Sequence, residues 1–121
     1  MTTDPHRTAV VAIVDRYLEG LGRKDLAGVP FAPGVTIESP LTEKLVGIEQ
    51  VSAFLTGLFP AVKDVRITRH IVDGEFDAVQ FDLDTVFGVI PVFDCIRVTN
   101  GLIQEIRPYY DPRPITEGVA R

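Results

Sequence analysis

The spacing of apolar positions changes partway along the chain. Through Val10, Ile13, Val14, Tyr17, Leu18 and Leu21 they recur every three or four residues, which places them on one face of a helix. Asp4 followed by Pro5 opens that helix: a side-chain acceptor at the cap, then a residue whose missing N–H is not needed in the first turn. Gly20 and Gly22 loosen its end. The polar stretch Arg23-Lys24-Asp25 begins a short second helix that runs to Gly28, ahead of Pro30. Pro33-Gly34 turns the chain into a brief extended run, Val35 to Ser39, closed by Pro40. Ile48, Val51, Phe54, Leu55 and Leu58 restore the helical spacing and predict a third helix from Ile48 to Phe59, stopped by Pro60.

Beyond that point the pattern is that of strands. Val65 to Val72, Ala78 to Phe87, Val89 to Thr99 and Leu102 to Tyr110 read as four of them, with turns at Asp73-Gly74, Gly88 and Asn100-Gly101. Helices grouped early and strands grouped late predict an α+β fold, a curved antiparallel sheet packed around three N-terminal helices. There is no internal repeat, low-complexity tract or linker, so residues 1–121 read as one domain.

One residue breaks the apolar alternation. Val92, Asp94, Ile96 and Val98 share a sheet face by period two, and a carboxylate among them is costly unless it is paired, hydrogen-bonded or kept protonated. Asp94 is therefore the first candidate functional group, against the plainer reading of a wetted strand edge. Hairpin register decides its neighbours. A two-residue loop at Asn100-Gly101 would set Asp94 opposite Arg107; a three-residue loop from Thr99 would set it opposite Ile106. The second gathers Val92, Ile96, Val98, Ile106, Pro108 and Tyr110 on the side of Asp94 and sends Arg97, Glu105 and Arg107 to the other, so it is preferred. At Gly88, a two-residue loop sets Leu83 opposite Asp94 and leaves Asp82 and Asp84 outside. A three-residue loop sets Asp82 there instead. Like charges face to face destabilise a sheet, so the expectation is an apolar cup holding one acid.

Composition excludes several classes. A net charge of -5 without a basic run argues against a nucleic-acid surface. A lone Cys95 rules out an internal disulfide and a cysteine-based zinc site, and no His-x-His or Glu-x-x-His spacing occurs, so no metal is expected. No glycine-rich loop leads from strand to helix, so no nucleotide or other cofactor is expected. No apolar run has the length of a membrane span, and the polar start is unlike a signal peptide. A cytoplasmic protein is the expectation.

Several segments, in order, carry a resemblance. Asp15-Arg16-Tyr17-Leu18-Glu19, Val35-Thr36-Ile37-Glu38-Ser39-Pro40, Gly47-Ile48-Glu49-Gln50-Val51, Val92 to Val98, and Gly101-Leu102-Ile103 through Tyr109-Tyr110-Asp111-Pro112 together resemble the NTF2-like superfamily. The branch is the one containing SnoaL-like polyketide cyclases, ketosteroid isomerase and limonene epoxide hydrolase, and the likeness runs from about Val10 to Ile115. It implies a cone with an apolar pocket at its open end, and in many members pairing through the outer face of the sheet. Residue by residue, it implies that Tyr17 and Asp94 stand where the isomerase has its two oxyanion donors, the second a carboxylic acid kept neutral by an apolar site. The isomerase's base would fall at Ser39. The hydrolase's Arg-x-Asp would fall on Asp82-Leu83-Asp84, where only Asp84 matches, and its second aspartate at Pro108.

These readings converge on a pocket for a small, mostly apolar, oxygen-bearing molecule of polyketide, steroid or terpenoid type. Its expected lining includes Tyr17, Phe31, Ser39, Phe54, Leu58, Asp94, Ile96, Ile106, Pro108 and Tyr110. Isomerisation, cyclisation or hydration would need a base, for which His70, Asp84 and Glu38 are candidates in that order. A non-catalytic binder with the same pocket and no base is the competing class. Phe93, Cys95 and Tyr109 on the outer face predict a homodimer.

Overall fold

The Asp4 carboxylate accepts hydrogen bonds from the N–H groups of His6 and Arg7, at 3.0 and 3.3 Å, and so starts the first helix where the Asp-Pro pair predicts it. The structure is a computed structural model describing residues 4–119. Its elements, in chain order, are α1 (Pro5–Arg23), β1 (Phe31–Ser39), β2 (Thr42–Val46), α2 (Ile48–Leu58), a 3-10 turn (Phe59–Ala61), β3 (Val62–Asp73), β4 (Phe76–Thr85), β5 (Gly88–Thr99), β6 (Leu102–Tyr109) and α3 (Arg113–Val119).

The second N-terminal helix does not form. Lys24 adopts the left-handed conformation (φ 60°), and the chain folds back so that the Asp25 N–H reaches the Gly20 carbonyl at 2.9 Å. The Asp25 carboxylate then accepts from the Ala27 N–H at 3.0 Å, a local bond that replaces a helical one. Gly20 is required at this return, since a Cβ there would lie 2.7 Å from the Asp25 carbonyl oxygen. Two elements absent from the sequence reading appear instead. β2 is a short, polar edge strand with no alternation to announce it, and α3 is a short C-terminal helix that contains Pro114 and Gly118.

The six strands form one curved sheet in the order β2-β1-β6-β5-β4-β3, with α1 packed across its inner face. The sheet is mixed rather than antiparallel, because β1 runs parallel to β6. Alternation reports which face a side chain takes but not which strand lies alongside or in which direction. Val10, Val14, Tyr17 and Leu18 of α1 meet Phe81, Ile96 and Ile106 of the sheet to form the core.

Both hairpins reach the expected faces by unexpected registers. Asn100 and Gly101, both at positive φ, form a two-residue turn closed by Thr99 and Leu102. A bulge then leaves Gln104 unpaired and restores the parity that a two-residue turn alone would have lost, so Asp94 lies opposite Pro108. In the β4–β5 hairpin the turn residues are Val86 and Phe87, closed by Thr85 and Gly88. The Thr85 hydroxyl donates to the Gly88 carbonyl at 2.7 Å and accepts from the Phe87 N–H at 3.0 Å. Asp94 consequently faces Val79, four residues from the expected Leu83 but on the same side. Leu83 and Phe81 point inward, and Asp82 and Asp84 point out.

Candidate functional site

The open end of the sheet encloses a cavity of about 50 Å³. Tyr17 reaches it from α1, Ser39 from β1, Phe54 and Leu58 from α2, Phe81 and Leu83 from β4, and Asp94 from β5. Pro108, Tyr110 and Ile115 close the remaining side. The wall is almost wholly apolar. Among the described residues Asp94 is the only carboxylate on it, and no lysine, arginine or histidine joins it.

Asp94 is 2% exposed, and its Oδ1 has no hydrogen-bond partner. The cause is its register: its cross-strand neighbours, Val79 and Pro108, carry no donor in their side chains. Burial raises its pKa from an ordinary 3.8 to about 7, so near neutrality it exists as acid and carboxylate in comparable amounts. Tyr17 is buried edge-on to Phe31, ring centroids 6.1 Å apart. Burial, then the nearby Asp94 and Tyr110, push its pKa well above the usual tyrosine value and keep its O–H a donor. Burial raises Tyr110 as well, with Ser39 beside it acting in the opposite direction. The pole of the cavity thus offers phenolic donors and one unpartnered carboxyl oxygen. Such a set can hold a carbonyl, hydroxyl or enolate oxygen.

Of the residues expected to line the pocket, Tyr17, Ser39, Phe54, Leu58, Asp94, Pro108 and Tyr110 do so. Phe31, Ile96 and Ile106 do not: Phe31 backs the Tyr17 ring, and Ile96 and Ile106 are fully buried in the solid core. Leu21 and Ile37 also line the cavity, and helical and strand spacing from Tyr17 and Ser39 would have found them. Leu41 and Ile115 had no such signal, since neither lies in a periodic segment.

The candidate bases lie elsewhere. A bulge at Thr68 turns His70 toward α1, where its Nδ1 is 2.6 Å from Asp77 Oδ2 and its Nε2 2.8 Å from Asp15 Oδ1. His70 is two strands from Asp94, with Val79 between them, and both its nitrogens are engaged. Asp84 sits on the outer face, 3.5 Å from Arg66, and Glu38 lies on the outer face at 3.3 Å from Arg107. None of the three reaches the cavity. Among the described residues, no group of three histidine, cysteine or acidic side chains could hold a metal ion, and no helix is long and apolar enough to cross a membrane.

The fold has many solved counterparts. One is the "Putative SnoaL-like polyketide cyclase" of Jannaschia sp. CCS1, at 20% identity and TM-score 0.81, covering 99% of this chain and 97% of that one. An NTF2-like protein of unknown function from Cytophaga hutchinsonii matches at 16% and 0.77, covering 96% and 99%. A steroid delta-isomerase from Pseudomonas aeruginosa matches at 20% and 0.73, covering 98% and 100%. At these identities the likeness establishes the NTF2-like fold. No curated protein matches. The sequence model of the family described as "Domain of unknown function (DUF4904)" matches residues 5–121.

Proposed function

We propose that this chain, which belongs to the family described as Domain of unknown function (DUF4904), binds a small, mostly apolar molecule through a hydroxyl or carbonyl oxygen placed at Asp94. The observation that carries this reading is the unpartnered Asp94 Oδ1, buried at the pole of an otherwise apolar cavity. A buried polar atom without a partner is expensive, and a ligand oxygen that hydrogen-bonds the carboxyl group removes that expense. Tyr17 supplies a second donor to the same oxygen. The names of the cyclase and the steroid isomerase support a polyketide or steroid type of ligand.

Catalysis is the less supported part. Isomerisation, cyclisation or hydration needs a proton acceptor distinct from the oxyanion donors, and among the described residues the cavity wall holds no carboxylate besides Asp94 and no histidine. Ser39 stands where the resemblance puts the isomerase's base. Binding without turnover is therefore the favoured form of the proposal. The test uses 2-naphthol, a neutral aromatic alcohol, as the probe in calorimetric titration. Saturable binding that weakens about tenfold in Tyr17→Phe, the worth of one hydrogen bond, is the expected result. Absence of saturation at millimolar probe, or an unchanged affinity in Tyr17→Phe, would overturn it. Mass spectrometry of a ligand carried through purification, before and after incubation, then tells binder from enzyme.

The outer face of the sheet is proposed to bind a second copy of the chain. Phe76, Phe93 and Tyr109 lie there, 42%, 41% and 56% exposed, beside Ile71 and the half-buried Cys95. An apolar patch on that face would be covered in a homodimer. Sedimentation should give a dimer at micromolar concentration that Tyr109→Glu converts to monomer; a wild type that is monomeric throughout excludes this interface.

A further inference from the structure

The cavity is small for the ligand class just proposed. Pockets for drug-sized molecules run to roughly 300–1,000 Å³, whereas about 50 Å³ is open here, room for a few waters. Ile115 of α3 is one of the residues of the cavity wall, so its displacement would enlarge that space.

α3 is unlike every other element in how it is held. Among the described residues, no hydrogen bond or ion pair joins residues 111–118 to the rest of the chain; all of them are internal to the segment. The Asp111 carboxylate accepts from the Arg113 N–H at 3.0 Å and pairs with its guanidinium at 2.7 Å. The Thr116 hydroxyl donates to the Pro112 carbonyl at 3.2 Å. None of residues 113–118 is fully buried. Apolar contacts dock the helix, and Ile115 and Gly118 make two of them. Ile115 lines the cavity, and Gly118 lies against the Phe87 ring, so closely that a Cβ at Gly118 would overlap Phe87 Cδ1 and stand 2.8 Å from Cε1. Phe87 belongs to the β4–β5 turn, which is fixed by Thr85 and by the Val86 N–H donating to the Ala61 carbonyl at 2.9 Å. A self-contained unit, docked through apolar contacts and without a hydrogen bond to its platform, has the makeup of a low-stability element that opens by itself.

We propose that α3 is a gate, with Ile115 as its plug and the Gly118–Phe87 contact as its clasp, and that ligand enters by displacing Ile115 and takes the volume it vacates. This rests on the cavity being a ligand site, but the gate can be measured without any ligand. In the full chain carrying Cys95→Ser, Val92→Cys places a thiol on the cavity wall, at a position 4% exposed. Its labelling rate by N-ethylmaleimide then reports how often the cavity opens. Gly118→Ala pushes a methyl into the Phe87 ring, and Phe87→Ala removes the platform; each releases the clasp and leaves Ile115 in place. Both should speed labelling about tenfold, as should Ile115→Ala, with thermal unfolding of the domain unchanged. If Gly118→Ala does not fold, Phe87→Ala decides. Acceleration by Ile115→Ala alone would make Ile115 a fixed part of the wall and overturn the gate, as would equal rates in all variants. The ligand reading fails separately: faster labelling with no 2-naphthol binding keeps the gate and removes the ligand, and the reverse pair of results does the opposite.

Discussion

Asp94→Asn should make the protein more stable at pH 8, by about 2–3 kcal/mol, and less stable at pH 4, by about 1–2 kcal/mol. The folded state raises the Asp94 pKa from 3.8 to about 7. Between those values the folded chain holds the proton more tightly than the unfolded chain, so wild-type stability falls as pH rises, by up to 1.36 kcal/mol per pH unit. Above about pH 7 the loss is complete and amounts to about 4 kcal/mol. Asparagine carries no such slope, but it still buries an amide with few partners, which is why the gain is set below the full figure. Denaturant unfolding of both proteins from pH 4 to pH 9 reads the difference directly. Binding should show the counterpart. A carbonyl ligand needs the protonated acid, so wild-type affinity should decline as pH rises through about 7, whereas the asparagine variant should bind with little dependence on pH. Parallel stability curves for the two proteins would mean that Asp94 titrates as an ordinary carboxylate and is no donor. A residue that lowers stability in proportion to the charge it carries is one that function, rather than folding, accounts for.

His70→Ala should cost about 3 kcal/mol and lower the melting temperature by about 10 °C at neutral pH. His70 joins α1 to the sheet, with Asp15 on one ring nitrogen and the fully buried Asp77 on the other. Asp77 Oδ1 already lacks a partner, and its pKa is raised by burial against the lowering influence of His70. Removing the imidazole deletes that influence and leaves a buried carboxylate beside Asp15, with Arg7 as the remaining cation nearby. The Asp77 pKa then rises further. Because the folded value lies above the unfolded one, the added penalty is absent in acid and grows as pH rises from the ordinary carboxylate range through the raised value. The deficit of the variant should therefore be small near pH 4 and largest above neutrality, and Asp77→Asn in the same background should recover much of it. A deficit that does not vary with pH would assign the loss to packing instead. Ligand binding should be unaffected at temperatures where the variant is folded, since Val79 separates His70 from the cavity residue Asp94.

The two acids had different legibility. Asp94 stood out because strand alternation is a strong signal: a charged residue in register with Val92, Ile96 and Val98 has to face the core whatever the strand's partners are. Asp77 carried no such signal, because it lies at the start of its strand beside an exposed Phe76 and a turn, where a carboxylate looks ordinary. His70 was legible as a titratable residue on a strand, but a bulge at Thr68 and the side chain of Asp15, 55 positions away in the chain, set its direction.

By itself the chain determined the locally encoded features: the capped first helix, the second apolar helix, the four late strands, the face of Asp94 and its alternating apolar neighbours, and hence the buried acid and most of the apolar wall around it. These depend on periods of 3.6 and 2 residues and on Pro, Gly and Asp chemistry within a few positions. Only the tertiary structure decided which strands are neighbours, that β1 runs parallel to β6, where the bulge at Gln104 falls, and that Ile115 sits in the cavity. Each of these is a choice between arrangements with the same local pattern. A bulge keeps the face while changing the partner, and a short helix with no apolar stripe of its own is placed by the cavity it plugs.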